Sequence, residues 1–419
     1  MRSKLITVGD EILIGQVINT NAAYLGDKMF SISIPVEKTI VIGDEENILL
    51  KELDDSLENY DVTIITGGLG PTHDDITKPS LIKFFDDELV INDEVLKHVR
   101  NIFSLRNIVM PIVNEAQALV PKKSEVIWNA NGTAPGLWME KNNKVIIALA
   151  GVPHEMKGMM ENVIIGKLQK RFKSNIKHIL KQKTLLTTGL GESSLNERLG
   201  NMNDLLGDCK MAFLPSLEGV RLRINSSGKN EEEALDEISK VETKIREKAG
   251  DYVYGINNET IESIVGDILR KKKKTLSVAE SSTGGMISSR IVSTPGSSDY
   301  YQGGVCCYSN KEKIRILGVD ANIIESKGSV SKETAMQMAE GVRNLMETDY
   351  ALSTTGIAGP TGATPTKPLG LAWIGFSSKD KTHAMCFSFG DNRAINIQRT
   401  SMRALEILRR ELLNIKIEF

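Results

Sequence analysis

Two hydrophobic rhythms run along the chain. Short apolar runs bounded by polar turns read as strands, and apolar positions three and four apart read as helices. From the N-terminus, Lys4 to Val8 is a strand ending at the turn Gly9-Asp10-Glu11. A helix with apolar Ala22, Leu25 and Met29 follows, capped by Asn19, Thr20 or Asn21. Pro35 to Ile42 is a second strand ending at Gly43-Asp44-Glu45, Ile48 to Leu57 is helical, and Asp61 to Thr66 is a buried strand of parallel type. This alternation predicts a three-layer α/β domain over residues 1–170, with ligands beyond the carboxyl ends of the strands.

The rhythm changes over 171–255. Strands at LLTTG, CKMAFLP and GVRLRI, helices at Glu192–Leu199 and Asn230–Ala249, and a closing strand at Tyr252–Tyr254 give the order βαββαβ. That order predicts a small KH-like or ferredoxin-like layer. Residues 256–419 return to α/β alternation. Strands are expected at Thr275–Ala279, Gly303–Tyr308, Tyr350–Thr354, Leu371–Phe376 and His383–Phe389. Helices are expected at Ile261–Leu269, Met286–Val292, Asn310–Leu317 and Ser331–Met346, with a last helix after Asn392-Arg393.

Composition narrows the classes. The 419 residues are 41% hydrophobic and 25% charged, with a formal net charge of −2, which fits a soluble globular protein. No apolar run approaches the ~18 residues of a membrane span, and the first residues run straight into a strand. A cytoplasmic protein without a signal peptide or membrane partner is expected. The balanced charge argues against a nucleic-acid partner, and no G-x-x-G loop stands in the middle segment. Cys209, Cys306, Cys307 and Cys386 form no C-x-x-C pair and read as reduced, mostly buried thiols.

Chemistry concentrates in two places. Thr66–Thr77, TGGLGPTHDDIT, follows a buried strand. Gly67, Gly68 and Gly70, with Thr72 among them, suit close backbone approach to phosphate oxygens. Asp74 and Asp75, expected at the start of the next helix, suit a divalent cation beside a pyrophosphate, although carboxylates also cap helix N-termini. The scattered His73 and His154 read as solvent-facing or capping.

Ala279–Lys313 carries two serine turns. Ser281, Thr283 and Gly284 belong to a strand–glycine turn–helix, a good phosphate site. In the second turn Ser297 is placed to cap a short helix with Ser298 in its first turn. If the two helix starts face one crevice, Tyr308 and Lys313 reach Ser298, and a desolvated lysine can act as base for a serine nucleophile. The bland alternative leaves Ser298 a capping residue, Tyr308 core and Lys313 surface. No serine lies in G-x-S-x-G, and His383 is the only histidine of this segment, which argues against a Ser-His-Asp hydrolase. Thr355 and Gly356 open a further glycine turn, and Arg393 has the reach to clamp a phosphate.

These motifs carry a family resemblance. GDEILIGQVINTN, TGGLGPTHDDIT, NGTAPG and GVPHEM, together with AESSTGG, PGSSDYYQGGVCCYSN and GIAGPTGATPTKPLG, resemble the CinA (competence/damage-inducible protein A) family. The resemblance implies a MoeA/MogA-like, molybdopterin-binding-like N-terminal domain, a KH/ferredoxin-like middle domain and a C-terminal α/β deamidase domain. It implies a homodimer and two hydrolytic activities. The N-terminal one cleaves ADP-ribose to AMP and ribose 5-phosphate, with a divalent metal held by some of Asp44, Asp74 and Asp75. The C-terminal one converts nicotinamide mononucleotide to nicotinate mononucleotide and ammonia, with no cofactor. By motif position Ser298 is the implied nucleophile, assisted by Tyr308 and Lys313, while Ser281, Thr355 and Arg393 bind substrate. The sequence departs at Ser282, often cysteine in the family, and in GDNRAINIQRT, one residue longer than usual before the arginine. Two rival readings are a molybdopterin-binding or adenylylating protein and a non-enzymatic competence accessory protein.

Overall fold

A computed structural model describes residues 1–417. The chain divides into two compact units, one of residues 1–181 with 226–236, the other of 182–225 with 237 onward.

The first unit is built on a six-stranded sheet of β1 (Ser3–Val8), β2 (Val36–Ile42), β3 (Val62–Thr66), β6 (Glu125–Ile127), β7 (Gly136–Lys141) and β8 (Lys144–Leu149), in the order β2-β1-β3-β8-β7-β6. β2, β1, β3 and β8 are parallel, and β7 and β6 return antiparallel. The central strands β1 and β3 are buried at every position, whereas the edge strand β2 alternates and carries Glu37 and Lys38, as strands flanked on two sides and on one side do. A small ribbon of β4 (Leu89–Ile91) and β5 (Leu119–Pro121) stands apart. The helix Thr20–Ser31 is capped by Asn19, whose side chain accepts from Ala22 N–H. Among the three candidate caps, Asn19 has the non-helical backbone that the cap position needs.

The middle segment forms a sheet of β9 (Ile179–Thr187), β10 (Lys210–Pro215), β11 (Val220–Gly228) and β12 (Val253–Ile256), ordered β10-β11-β9-β12. Numbered within this sheet, the order is 2-3-1-4, the ferredoxin-like arrangement. A short helix, Met202–Leu206, capped by Asn201, adds to the βαββαβ pattern.

The C-terminal layer holds β13 (Leu276–Glu280), β14 (Tyr301–Cys306), β15 (Tyr350–Gly356), β16 (Leu371–Ser378) and β17 (Thr382–Ser388), ordered β14-β13-β15-β16-β17. The first three are parallel and the last two antiparallel. One face packs Ile261, Val265, Ile287, Met402 and Leu405 against Val278 and Leu352, and the other packs Leu317, Met338 and Val342 against Ala279 and Ala351. The helix Lys332–Leu345 carries an apolar stripe that reads from the sequence as core through Leu345 and Met346; Ala335, Met338, Ala339 and Val342 are buried, but Leu345 is 52% exposed.

Three local readings change. β14 ends at Cys306, so Tyr308 lies beyond the strand, next to Ser309, the cap of the helix Asn310–Leu317. The 3-10 turn Ser297–Asp299 is entered through Gly296 at φ 78°, and Ser297 is its first residue rather than its cap. Only a glycine adopts that backbone readily. Cys306 and Cys307 face opposite ways as alternation requires, but two of the four thiols, Cys306 and Cys386, are exposed. No helix among the described residues is long and apolar enough to cross a membrane.

Candidate functional sites

In the first unit, the carboxyl ends of β1, β3 and β8 open on a cavity of about 500 Å3. The glycine loop after β3 forms one wall. Gly67 has φ 101° and Gly68 φ 66°, and a Cβ on Gly67 would stand 2.2 Å from the Val8 carbonyl oxygen. A side chain there cannot be accommodated without moving the sheet edge. Thr77 closes the loop, its Oγ1 donating to the Gly67 carbonyl at 2.7 Å.

Asp75 holds the loop from inside. Its carboxylate accepts from Gly70 N–H at 2.7 Å, Thr72 N–H at 2.8 Å and Thr72 Oγ1 at 2.5 Å. The following helix begins only at Thr77, so neither Asp74 nor Asp75 is a helix cap. Asp44 and Asp74 line the cavity, as do Gly67, Gly68, Gly70 and Glu11, while Thr72 is turned inward to Asp75. Burial raises the Asp44 pKa against a hydrogen bond from Asp10 N–H, and the neighbouring charges of Asp10, Glu11 and Asp74 raise it further. Among the described residues no three carboxylate, histidine or cysteine side chains converge as a ready metal cage. The donor set fits a hard cation in a narrower way. Asp75 accepts its hydrogen bonds from the loop, and Glu11, Asp44 and Asp74 are further carboxylates of the wall, oxygen donors of the kind a hard cation takes.

Sequence reasoning missed the clearest sign of a ligand. Asn21 Oδ1, Thr66 Oγ1 and both amide atoms of Gln117 are buried without a hydrogen-bond partner, and all three residues line this cavity. Buried polar atoms are seldom left unpaired, and these belong to residues of the cavity wall. Glu155 is also in the wall, held by Asn129 Nδ2 at 2.7 Å. His73 and His154 are exposed.

In the second unit, the carboxyl ends of β13, β14 and β15 open on a crevice of about 210 Å3. It gathers Ser281, Ser282, Tyr308, Lys313, Thr355, Gly356 and Arg393. Lys313 is 2% exposed, with Nζ donating to the Tyr308 carbonyl at 3.1 Å. Burial lowers its pKa, against the nearby Cys307. Lys313 is thus a desolvated amine rather than a surface charge. Arg393 starts the last helix and donates to the Gly359 carbonyl at 2.8 Å, and its other amino group lies 3.4 Å from Tyr308 Oη. A surface pairing of Arg393 with Asp391, the plain alternative to a phosphate clamp, is absent from the ion pairs of the described residues. Thr355 Oγ1 is turned to the Ser329 carbonyl. Ser282, which the sequence marks only as a departure from the family pattern, lines the crevice with its Oγ buried and without a partner.

Two expectations fail here. The amides of the first glycine turn are not free for phosphate. Glu280, 1% exposed, accepts from Gly285, Ile287 and Ser288 N–H and from Ser288 Oγ, at 2.7–3.1 Å. Thr283 is tied to Thr354 Oγ1 at 2.7 Å, and neither Thr283 nor Gly284 lines the crevice. Second, Ser298 does not share the crevice with Tyr308 and Lys313 within one chain. It is exposed in the turn before β14, whereas they follow it. Six strand residues lie between, which at ~3.3 Å each separates the two ends by roughly 20 Å.

Comparison with known proteins matches these segments in turn. Residues 4–170 match the probable molybdopterin binding domain, 182–255 the damage-inducible protein CinA KH domain, and 258–412 the CinA C-terminal domain. A CinA-like protein of Salinibacter ruber is 41% identical over 414 residues, covering 98% of this chain and 100% of the relative. A putative competence-damage inducible protein of Caldicellulosiruptor saccharolyticus is 40% identical, covering 99% and 100%. Among solved structures, the competence/damage inducible protein CihA of Agrobacterium tumefaciens is 33% identical over 35% of this chain and 93% of its own, with a TM-score of 0.34. The protein CinA of Thermoplasma acidophilum, of unknown function, is 31% identical over 42% and 97%, with a TM-score of 0.35. Full-length identity to such relatives, with all three domain types in order, means that the chain belongs to the CinA family.

Proposed function

We propose that the chain is a bifunctional hydrolase of pyridine-nucleotide salvage. The C-terminal crevice deamidates nicotinamide mononucleotide, and the N-terminal cavity cleaves ADP-ribose to AMP and ribose 5-phosphate. The observation that carries the deamidase reading is the buried Lys313 in a crevice with Tyr308 and Arg393. A desolvated amine can take a proton from a serine hydroxyl, and the guanidinium suits the substrate's phosphate.

The cycle begins as a serine Oγ attacks the carboxamide carbon and gives its proton to Lys313 Nζ. The C–N bond then breaks, and the nitrogen leaves as ammonia with that proton. Water cleaves the acyl ester, giving the carboxylate and restoring the serine. By motif Ser298 is that serine, although within one chain it stands outside the crevice that holds Lys313. Ser282 is a second reading, favoured by its unpartnered Oγ at the crevice wall.

In the N-terminal cavity, the glycine loop and the orphaned Asn21, Thr66 and Gln117 support binding of a polar phosphorylated ligand. A divalent cation held by Asp44 and Asp74 would neutralise the pyrophosphate. Asp75 keeps the loop in shape.

Incubating the full chain with each nucleotide, with and without chelator, tests both halves. Ammonia from nicotinamide mononucleotide is expected in either condition, and AMP from ADP-ribose only without chelator. Transfer of AMP to a pterin with ADP-ribose left intact would replace the N-terminal reading with the adenylylating one.

A further inference from the structure

We infer that the second unit holds a further ligand site, for an aromatic mononucleotide, in the cavity between the turns of the middle sheet and the wall made by β17 and the last helix, Arg393–Leu413. The cavity measures about 490 Å3, nearly the size of the N-terminal one, and lies in the range of small-ligand pockets. It shares no lining residue with the deamidase crevice. The inference depends on neither catalytic reading.

The middle-sheet wall is fixed by its own bonds. The turn 216–219 joins β10 to β11, and both the N–H and the Oγ of Ser216 donate to the Gly219 carbonyl, at 2.8 and 2.9 Å. Gly219 has φ 149°, and a Cβ there would collide with the Thr187 carbonyl of β9, so only glycine lets the turn lie against that strand. Glu218 of the same turn pairs with Arg290 at 2.9 Å, which ties the turn to the C-terminal layer. A wall held in this way costs little to order when a ligand enters.

The opposite wall carries the recognition chemistry. Arg399 and Arg403 stand four residues apart on the last helix, hence on one face, where like charges repel. The acids around them are engaged elsewhere, Glu406 with Arg409 and Arg410 and Glu218 with Arg290. Glu192 also lines the cavity but is exposed, where solvent screens its charge. Among the described residues Arg399 enters no ion pair. Burial lowers the pKa of Arg403, against Glu406, and the charges of Arg410 and Arg399 lower it further. An anion between the two arginines relieves that repulsion.

Beside the arginines lie two parallel rings. Phe387 in β17 and Phe389 just past its end have centroids 6.1 Å apart and planes within 3°. The Arg403 guanidinium stands 5.9 Å from the Phe387 ring centroid, and both rings are partly exposed. A flat apolar surface next to guanidinium groups suits a planar base that carries a phosphate. The base stacks, and the oxygens take the forked N–H groups. An inorganic anion leaves the rings unused, and an uncharged aromatic leaves the arginines unused.

The test takes AMP as probe and Cys386 as reporter. Cys386 lines the cavity and is exposed. In the full-length protein, alkylation by N-ethylmaleimide is followed thiol by thiol by mass spectrometry, with the exposed Cys306 as internal reference. AMP should slow alkylation of Cys386 several-fold and leave Cys306 unchanged. Inorganic phosphate and adenosine should each need at least about 10-fold higher concentration for the same protection. Arg399→Glu should raise the AMP concentration for half-protection by at least about 10-fold. That variant breaks no ion pair of the described residues, and its ammonia release and AMP formation should match those of the unaltered chain. AMP held in the N-terminal cavity is untouched by Arg399→Glu, so only protection that the variant loses counts. Equal alkylation of Cys386 with and without AMP overturns the inference, and so does protection that survives Arg399→Glu. Protection by phosphate as strong as by AMP overturns the aromatic ligand. A chain that forms neither ammonia nor AMP product yet shows the Cys386 protection overturns the catalytic readings and leaves this site standing.

Discussion

At the scale of single residues, burial decides which group does what. Lys313 is a lysine one turn into a helix, and its position was legible in the sequence. That it is 2% exposed was not, because burial depends on the chain folding over it from Ser329, Thr355 and Arg393. With its pKa lowered by desolvation, the proton-accepting form is present at lower pH than for a free lysine. Ammonia release should therefore rise with pH through that lowered pKa and level off above it. Lys313→Met should lose the rising limb and at least about 100-fold in rate, read from a pH–rate profile. The aspartates divide in the same way. Sequence position alone made Asp44, Asp74 and Asp75 equivalent candidates, whereas the hydrogen bonds give Asp75 to the loop. Asp44→Asn should weaken metal binding, so that excess cation restores part of the N-terminal activity. Asp75→Asn should lose activity that no metal concentration restores, and metal titration of both variants separates the two.

At the scale of elements, what the sequence made legible was the order of strands and helices; of the caps it offered, Asn19 holds, whereas Ser297, Asp74 and Asp75 do not cap. Runs such as Val62–Thr66 are buried along their whole length, and cap residues such as Asn392 and Ser331 stand where the helices begin. What stayed hidden was where the polar groups of a turn spend their hydrogen bonds. The turn after β13 has the glycines of an anion cradle, yet Glu280 has already filled it. A trace was present: Glu280 is the one charged residue in the buried strand Leu-Ser-Val-Ala-Glu. Glu280→Ala would strand three amides and a hydroxyl in the interior, where each unmet group costs about 1–3 kcal/mol. A loss of at least about 3 kcal/mol in denaturant unfolding is expected. An unchanged midpoint would mean that water fills the cradle at no cost. The separation of Ser298 from Tyr308 was also readable in principle. A strand between two residues holds them apart, whatever the chemistry recommends.

At the scale of the whole molecule, the three segments visible in the sequence do not make three independent bodies. The middle sheet and the C-terminal layer share a buried ionic cluster. Glu406, 0% exposed, accepts from Arg409 Nε and Arg410 Nε at 2.7 Å each, and both arginines donate onward to the Asp251 carbonyl. Polar residues so deep in the last helix have no periodic signature in the sequence, because they break its apolar stripe. Removing the carboxylate takes away the counter-charge that both buried guanidinium groups share within the helix. Glu406→Ala should cost about 3–5 kcal/mol, with the middle and C-terminal layers unfolding together in calorimetry.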